Sequence, residues 1–559
     1  MRNSALVIVL VALATACAGE KPRATAEAPG GTIVIAAPGD AADLFPPYVN
    51  ESNGRIVQDL VFDRLAEIDQ ELTTVGDKSF SPRLAKQWTW SSDSLSIAFA
   101  IDPRAHWHDG APVTARDVQY SFRVFTDPKV ASPVAPLLTN LDSVSVRDSL
   151  TAVVWFKKHT PEQFYDVAYQ LIIMPEHVYG AIPMDQLHTS EATRRLVGSG
   201  RFRFSRWVPG ERIELVADTA NYRGRPELDR VVLARIDVPA TGEAQVLTGQ
   251  ADFMEAIPPD DAGKLDSNAF VRPLVAPVLQ YAFMGMNPYD RKNRNAAHPI
   301  FSDRRVRRAL SMAVNREAML HNVFGDKGRL GRGPFPMTLS VADSTLRVPP
   351  FDTTAAAALL DSAGWRRGPD GMRSKAGRPF RFSMLVPSTS ATRQRYAALL
   401  QDQLKRNAGA QVDVELVDPN AFGARLGAGN FDAVLDGYGT DPSPGGEKQN
   451  WSTSGIGPQG LNQLHYSNPR VDALLDSATA SFDAAKTKSY ARQAFQQIID
   501  DVPAIWLYDI VTIDAVHRRI KLAPIRTDGW WANLADWSIP PDKRIDRDRI
   551  GLGPAAPKP

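Results

Sequence analysis

Residues 81–122 read SPRLAKQWTWSSDSLSIAFAIDPRAHWHDGAPVTARDVQYSF. Leu95, Ile97, Phe99 and Ile101 alternate with other residues, the two-residue period of a half-buried strand. A Ser91-x-Asp93 turn precedes that strand, and His108-Asp109-Gly110 reads as a second turn after it. Thr114 followed by Asp117 has the spacing of a helix N-terminal capping arrangement. One segment thus holds a strand, a turn and a capped helix start.

The same mixture continues in both directions. Thr32-Ile33-Val34-Ile35-Ala36 is a β-branched run launched by two glycines and stopped by Pro38-Gly39. Ile56, Leu60, Val61 and Leu65 then recur at helical spacing. Strand patterns are read at 212–217, 230–236, 412–417 and 503–516, and helical patterns at 304–320, 393–407, 469–481 and 489–500. The last helix would place Tyr490, Ala494, Phe495, Ile498 and Ile499 on one face. Strands interleaved with helices define an α/β fold. No internal repeat is visible.

The ends are different. Arg2, the apolar run from Ala5 to Ala16 and then Cys17, the sole cysteine of 559 residues, have the form of an export signal. That run is shorter than the roughly 20 residues a membrane-spanning helix needs. Cleavage after residues 1–16 would free the Cys17 thiol for lipidation; the competing reading is an ordinary secretory signal cut later, with Cys17 discarded. Residues 17–31 are small, polar and rich in Pro and Gly, a flexible lipidated tether. Residues 546–559, ending in GLGPAAPKP, read as a disordered tail.

Even without residues 1–16 the chain exceeds what one core supports, so two or three domains are expected. Composition is that of a globular protein, 43% hydrophobic and 23% charged. The 64 basic and 63 acidic residues nearly cancel, which leaves no electrostatic case for nucleic acid. No disulfide can form within the exported chain, since no second cysteine exists.

Six segments in order resemble the solute-binding proteins of ABC transporters, in the peptide/nickel-type (oligopeptide- and dipeptide-binding) family. They are the opening segment, GSGRFRFSRWVPGERIELVADTANYRGRPELD (198–229), LTGQADF (247–253), PIFSDRRVRRALSMAVNREAML (299–320), NFDAVLDGYGTDPSP from Asn430 and YSNPRVDALLDSA from Tyr466. The resemblance implies a large two-lobed periplasmic binding protein fold (type II), with an extra domain on the first lobe. Residues 32–72, 195–285 and 512–545 would form the first lobe, 73–194 the extra domain and 286–511 the second lobe. It further implies a monomeric receptor, anchored by lipid in the periplasm or at the cell surface. This receptor would bind a short peptide between its lobes and pass it to an ABC permease and ATPase complex. Alternatives are the same fold with a metal chelate, an opine or an oligosaccharide, or a sensory or chaperone-like lipoprotein without a permease.

No catalytic or cofactor motif is found. His106 and His108 read as structural, since His108-Asp109-Gly110 forms a turn ahead of the helix start at Thr114. Gly198-Ser199-Gly200 lacks the nucleophile elbow, and no zinc or phosphate-loop spacing occurs. Candidate ligand contacts come from the resemblance. Phe45 and Tyr48 lie in the loop after the first strand, and Tyr438 and Trp451 flank Gly439–Pro442. In the family's peptide binders an acidic residue three places after a loop Trp holds the ligand's α-amino group. Tyr438 and Asp441 keep that spacing, and the competing role for Asp441, which precedes Pro442, is a turn residue.

Overall fold

The computed structural model describes residues 29–457 and 460–549. The signal, Cys17 and most of the tether lie outside the described residues, as do residues 550–559.

The run at the first glycines forms β1 (Thr32–Pro38), buried on both faces. Its β-branched residues suit a pleated surface, and parallel strands covered on both sides read as continuous apolar runs. The other main-sheet strands are β2 (Phe202–Val208), β3 (Arg212–Ala217), β4 (Arg230–Ile236), β5 (Phe253–Met254), β6 (Val271–Met286), β7 (Arg381–Pro387), β8 (Gln411–Val417), β9 (Ala433–Gly439) and β10 (Ala504–His517). They lie in the order β8-β7-β9-β6-β10-β5-β1-β4-β3-β2.

The two long strands at the centre, β6 and β10, carry the sheet from one lobe into the other. Val271–Pro277 pairs with Val511–His517, and Tyr281–Gly285 pairs with Ala504–Asp509. The register slips between Pro277 and Tyr281, where proline supplies no N–H to the ladder. Two apolar clusters lie apart, Met284, Leu310, Trp365, Phe382 and Leu435 in one and Ala36, Ile236, Val246 and Met254 in the other, while a larger cluster runs through the molecule from Ile33 and Leu233 to Phe283, Trp451 and Phe495.

The segment quoted first belongs to a separate antiparallel sheet of strands Ala85–Trp90, Ser96–Ile101, Thr151–Phe156 and Leu141–Asp148. Ile97, Phe99 and Ile101 are fully buried while Leu95 is exposed. Helix α1 (Ser52–Val61) belongs to the first lobe, and α2 (Ala115–Thr126) packs on this extra sheet. Thr114 donates its N–H and its hydroxyl to Asp117 at 2.7 and 3.0 Å, the capping role read from spacing. His108 is structural: it accepts from the Gly198 N–H at 3.2 Å and contacts the Gly200 carbonyl at 2.9 Å. Gly198 and Gly200 lie against the end of α1, where an added Cβ would fall 1.8 Å from the Val61 carbonyl oxygen and 2.3 Å from that of Leu60.

Two sequence expectations change. The pattern at 304–320 divides into helices Arg304–Met312 and Arg316–Phe324. Asn315 caps the second by accepting from the Ala318 N–H, so a side chain that competes with helical bonding ends one helix and starts the next. The C-terminal segment is also docked further than expected, with a turn at Asp546–Arg549. Asp548 is buried, takes the Thr32 N–H at 2.8 Å and pairs with Arg519 at 2.5 Å. A carboxylate satisfied in this way holds the segment against β1, so the expected tail from 546 is ordered through 549.

Candidate ligand-binding cleft

A cavity of about 700 Å3 lies where the lobes meet, within the range of pockets that enclose small ligands. Its walls come from the start of α1 with the loop before it, residues 165–172 of the extra domain, strand crossing 276–280, the loop after β9 and residues 526–532.

Asp441 lines this cavity; Phe45, Tyr48, Tyr438 and Trp451 do not. Phe45 is buried and meets the Tyr179 ring edge-on at 5.0 Å. Tyr48 sits beside it, against His188. Tyr438 and Trp451 come together 5.5 Å apart beneath the loop, in a cluster with Phe283 and Trp506. Trp451 donates its indole N–H to the Tyr281 hydroxyl at 2.7 Å, and the Tyr438 hydroxyl accepts from the Gln463 N–H at 3.2 Å. Alternation along β9 explains the division: Tyr438 faces inward, and the chain leaves the strand into the cavity at Gly439–Asp441. The aromatic cluster is a stiff floor that positions the loop.

One oxygen of Asp441 accepts the Ser443 N–H at 2.9 Å, closing a turn ahead of helix α3 (Pro444–Trp451). The other makes no hydrogen bond among the described residues. Burial, and next the charge of Glu162, push the Asp441 carboxyl up to about 6. Glu162 reaches across the cleft from the extra domain and accepts the Ser443 hydroxyl at 2.6 Å, linking the lobes. Behind it, Asp166 is raised to about 8, by burial first and then by Glu162 and Asp441. Glu447 is also raised to about 8, chiefly by burial, and accepts from the Tyr281 hydroxyl at 3.1 Å. None of these four carboxyl groups has a Lys or Arg partner among the described residues. Asp441 is exposed to the cleft and Glu162 and Asp166 are half-buried, and like charges gathered in this way favour protons or an incoming cation.

The opposite wall is aromatic and charged. Tyr165 and Tyr169 stack at 5.4 Å, and the Arg64 guanidinium lies 4.5 Å from the Tyr169 ring centre. Arg64 pairs with Asp59 at 2.8 Å and Arg526 with Asp528 at 2.6 Å. The Trp531 indole donates to Asp59 at 2.8 Å and that of Trp530 to Glu255 at 3.1 Å. Tyr165, Tyr169, Arg55, Glu255, Trp530 and Trp531 were not singled out from sequence. The one available signal was the density of tryptophan at 530, 531 and 537.

The model of the bacterial extracellular solute-binding proteins, family 5 (middle), matches residues 79–457. The chain belongs to this family. Oligopeptide-binding protein AppA of Bacillus subtilis (strain 168) is 26% identical over 520 residues, covering 90% of this chain and 92% of AppA. The solved structure of B. subtilis AppA with a nonapeptide aligns at a TM-score of 0.68 and 24% identity, over 92% of this chain and 100% of that one. NikZ from Campylobacter jejuni with Ni(L-His) aligns at 0.69 and 22%, over 91% and 100%. The fold is therefore the large type II periplasmic binding protein fold. A family 5 solute-binding protein is an extracytoplasmic receptor of ABC transport rather than an enzyme family's member, and the cleft at the lobe junction is where this fold encloses a ligand.

Proposed function

We propose that this family 5 solute-binding protein captures a short peptide between its lobes and delivers it to an ABC permease. The observation that carries this reading is Asp441, which lines the interlobe cavity with one carboxylate oxygen that makes no hydrogen bond or ion pair among the described residues. A peptide α-ammonium leaving water needs such a partner, because a buried unpaired charge is very costly. Charge-assisted hydrogen bonds to a fixed carboxylate are about twice as strong as neutral ones. That relatives such as AppA are named as oligopeptide-binding supports the same ligand class. The test is mass spectrometry of small molecules released by denaturing protein purified from its native host. Peptides with free amino termini are the expected result; a homogeneous non-peptide ligand would overturn the reading.

The proposal includes a membrane anchor at Cys17, which lies outside the described residues. With 17–31 as tether, the globular body would stand off the membrane as a monomer, held by diacylation, since one acyl chain binds only marginally. Cys17→Ser is expected to move the protein to the soluble fraction on cell fractionation. Normal processing with full membrane retention in that variant would contradict the anchor.

A further inference from the structure

The charged side chains lining the cavity fall into pairs and singles. Asp59 with Arg64 and Asp528 with Arg526 are paired. Glu51 gives both carboxylate oxygens to the Asn53 and Gly54 N–H groups at the start of α1. Arg55, Asp441 and Glu255 remain without an ion pair among the described residues. A zwitterionic peptide answers two of these, its ammonium on Asp441 and its carboxylate on Arg55. Glu255 is left over.

Glu255 is not alone at its end of the cavity. It follows β5 directly, where Met254 pairs with Ala515 of β10, so Asp514 is its neighbour in register. Asp514 is fully buried, and one of its oxygens accepts the Ala256 N–H at 3.0 Å. The other oxygen is buried with no partner. Asp514 shares its strand face with Thr512, which lines the cavity, and lies buried behind that lining. Ala256 holds a left-handed backbone at φ 60° to make the contact, a conformation that costs a non-glycine residue free energy and tends to persist at functional positions. Two carboxyl groups with no cation partner among the described residues, one of them held by the Trp530 indole N–H, describe a seat for a positive group.

We infer that Glu255, backed by Asp514, is a second anionic subsite that takes a lysine or arginine side chain of a peptide whose α-ammonium lies on Asp441. The inference rests on the peptide reading of the cleft and adds a substrate class to it: peptides with one basic side chain, which balance the single charges of the cavity. Burial raises the Glu255 and Asp514 carboxyl groups, as expected of a pair awaiting a cation.

The test is calorimetric titration of ligand-stripped protein with alanine peptides of three and five residues. Each carries one lysine, or the uncharged norleucine of matching length, at each position in turn. At one position lysine is expected to bind about tenfold or more tighter than norleucine, the range of a hydrogen bond to a charged group. Glu255→Gln should bring that ratio close to one. Equal binding of lysine and norleucine peptides at every position would overturn the subsite while leaving peptide binding intact. Survival of the lysine preference in Glu255→Gln would also overturn it. Failure of every peptide to bind would remove the parent reading and this one together.

Discussion

Asp441→Asn is expected to weaken binding of a free-amine peptide by about 30-fold or more, and to change binding of the N-acetylated peptide by no more than about twofold. Removing one member of a desolvated charge pair costs about 2–5 kcal/mol in an interface, while a neutral terminus has no such pair to lose. Isothermal titration with the two forms of one peptide measures both effects. Equal loss for both would make Asp441 only the turn residue that its bond to Ser443 already shows it to be.

The same carboxyl sets a pH dependence. Its level of about 6 lies above the roughly 3.9 of an unfolded aspartate. The free cleft therefore holds a proton more tightly than the unfolded chain does. That contribution to stability is present below pH 4 and lost as pH rises through about 6. Ammonium binding runs the other way, since it needs the ionised carboxylate. Affinity for a free-amine peptide should fall below about pH 6 and again above about pH 8, where the amine itself loses its proton. Asp441→Asn should flatten both limbs, since each reports the same ammonium–carboxylate pair.

Arg519→Met is expected to lower the free energy of unfolding by about 3–5 kcal/mol, the usual effect of stripping one partner from a buried ion pair. Arg519 is nearly fully buried and bonds Asp252 at 2.9 Å, Asp548 at 2.5 Å and the Thr32 carbonyl at 2.8 Å. Asp252 would keep Arg547 and the Val34 N–H, but among the described residues Asp548 would keep the Thr32 and Ile545 N–H groups and no arginine. The C-terminal segment should loosen first, and denaturant melts of wild type and variant measure the change. An unaltered melt would show that the cluster is replaceable by apolar packing.

Much of the scaffold was legible because periodicity is local. The strands at 212–217 and 230–236 fall where β-branched alternation put them, and the 484–501 helix buries Ala494, Phe495, Ile498 and Ile499 as its spacing required. The helix pattern at 304–320 misled because apolar spacing continues through Ala313 and Val314, and only the Asn315 side chain marks the break. The cleft was legible at one residue. Its walls join segments as distant as Glu51 and Trp531, and no local pattern states that they meet. Asp441 was placed by resemblance. The aromatic residues beside it were placed in the right loop but on the wrong side of the strand, since burial of Tyr438 depends on which face of β9 the core occupies. Trp530 and Trp531, with no strand or helix pattern around them, signalled the cleft only through the density of tryptophan there.

The central claim is that two lobes joined by β6 and β10 close on a peptide, with Glu162 meeting Ser443 across the cleft. Small-angle X-ray scattering of ligand-stripped protein, with and without a free-amine peptide at saturation confirmed by calorimetry, tests it most directly. The account predicts that the radius of gyration contracts when peptide is added. An unchanged radius with bound peptide would contradict closure as the means of capture.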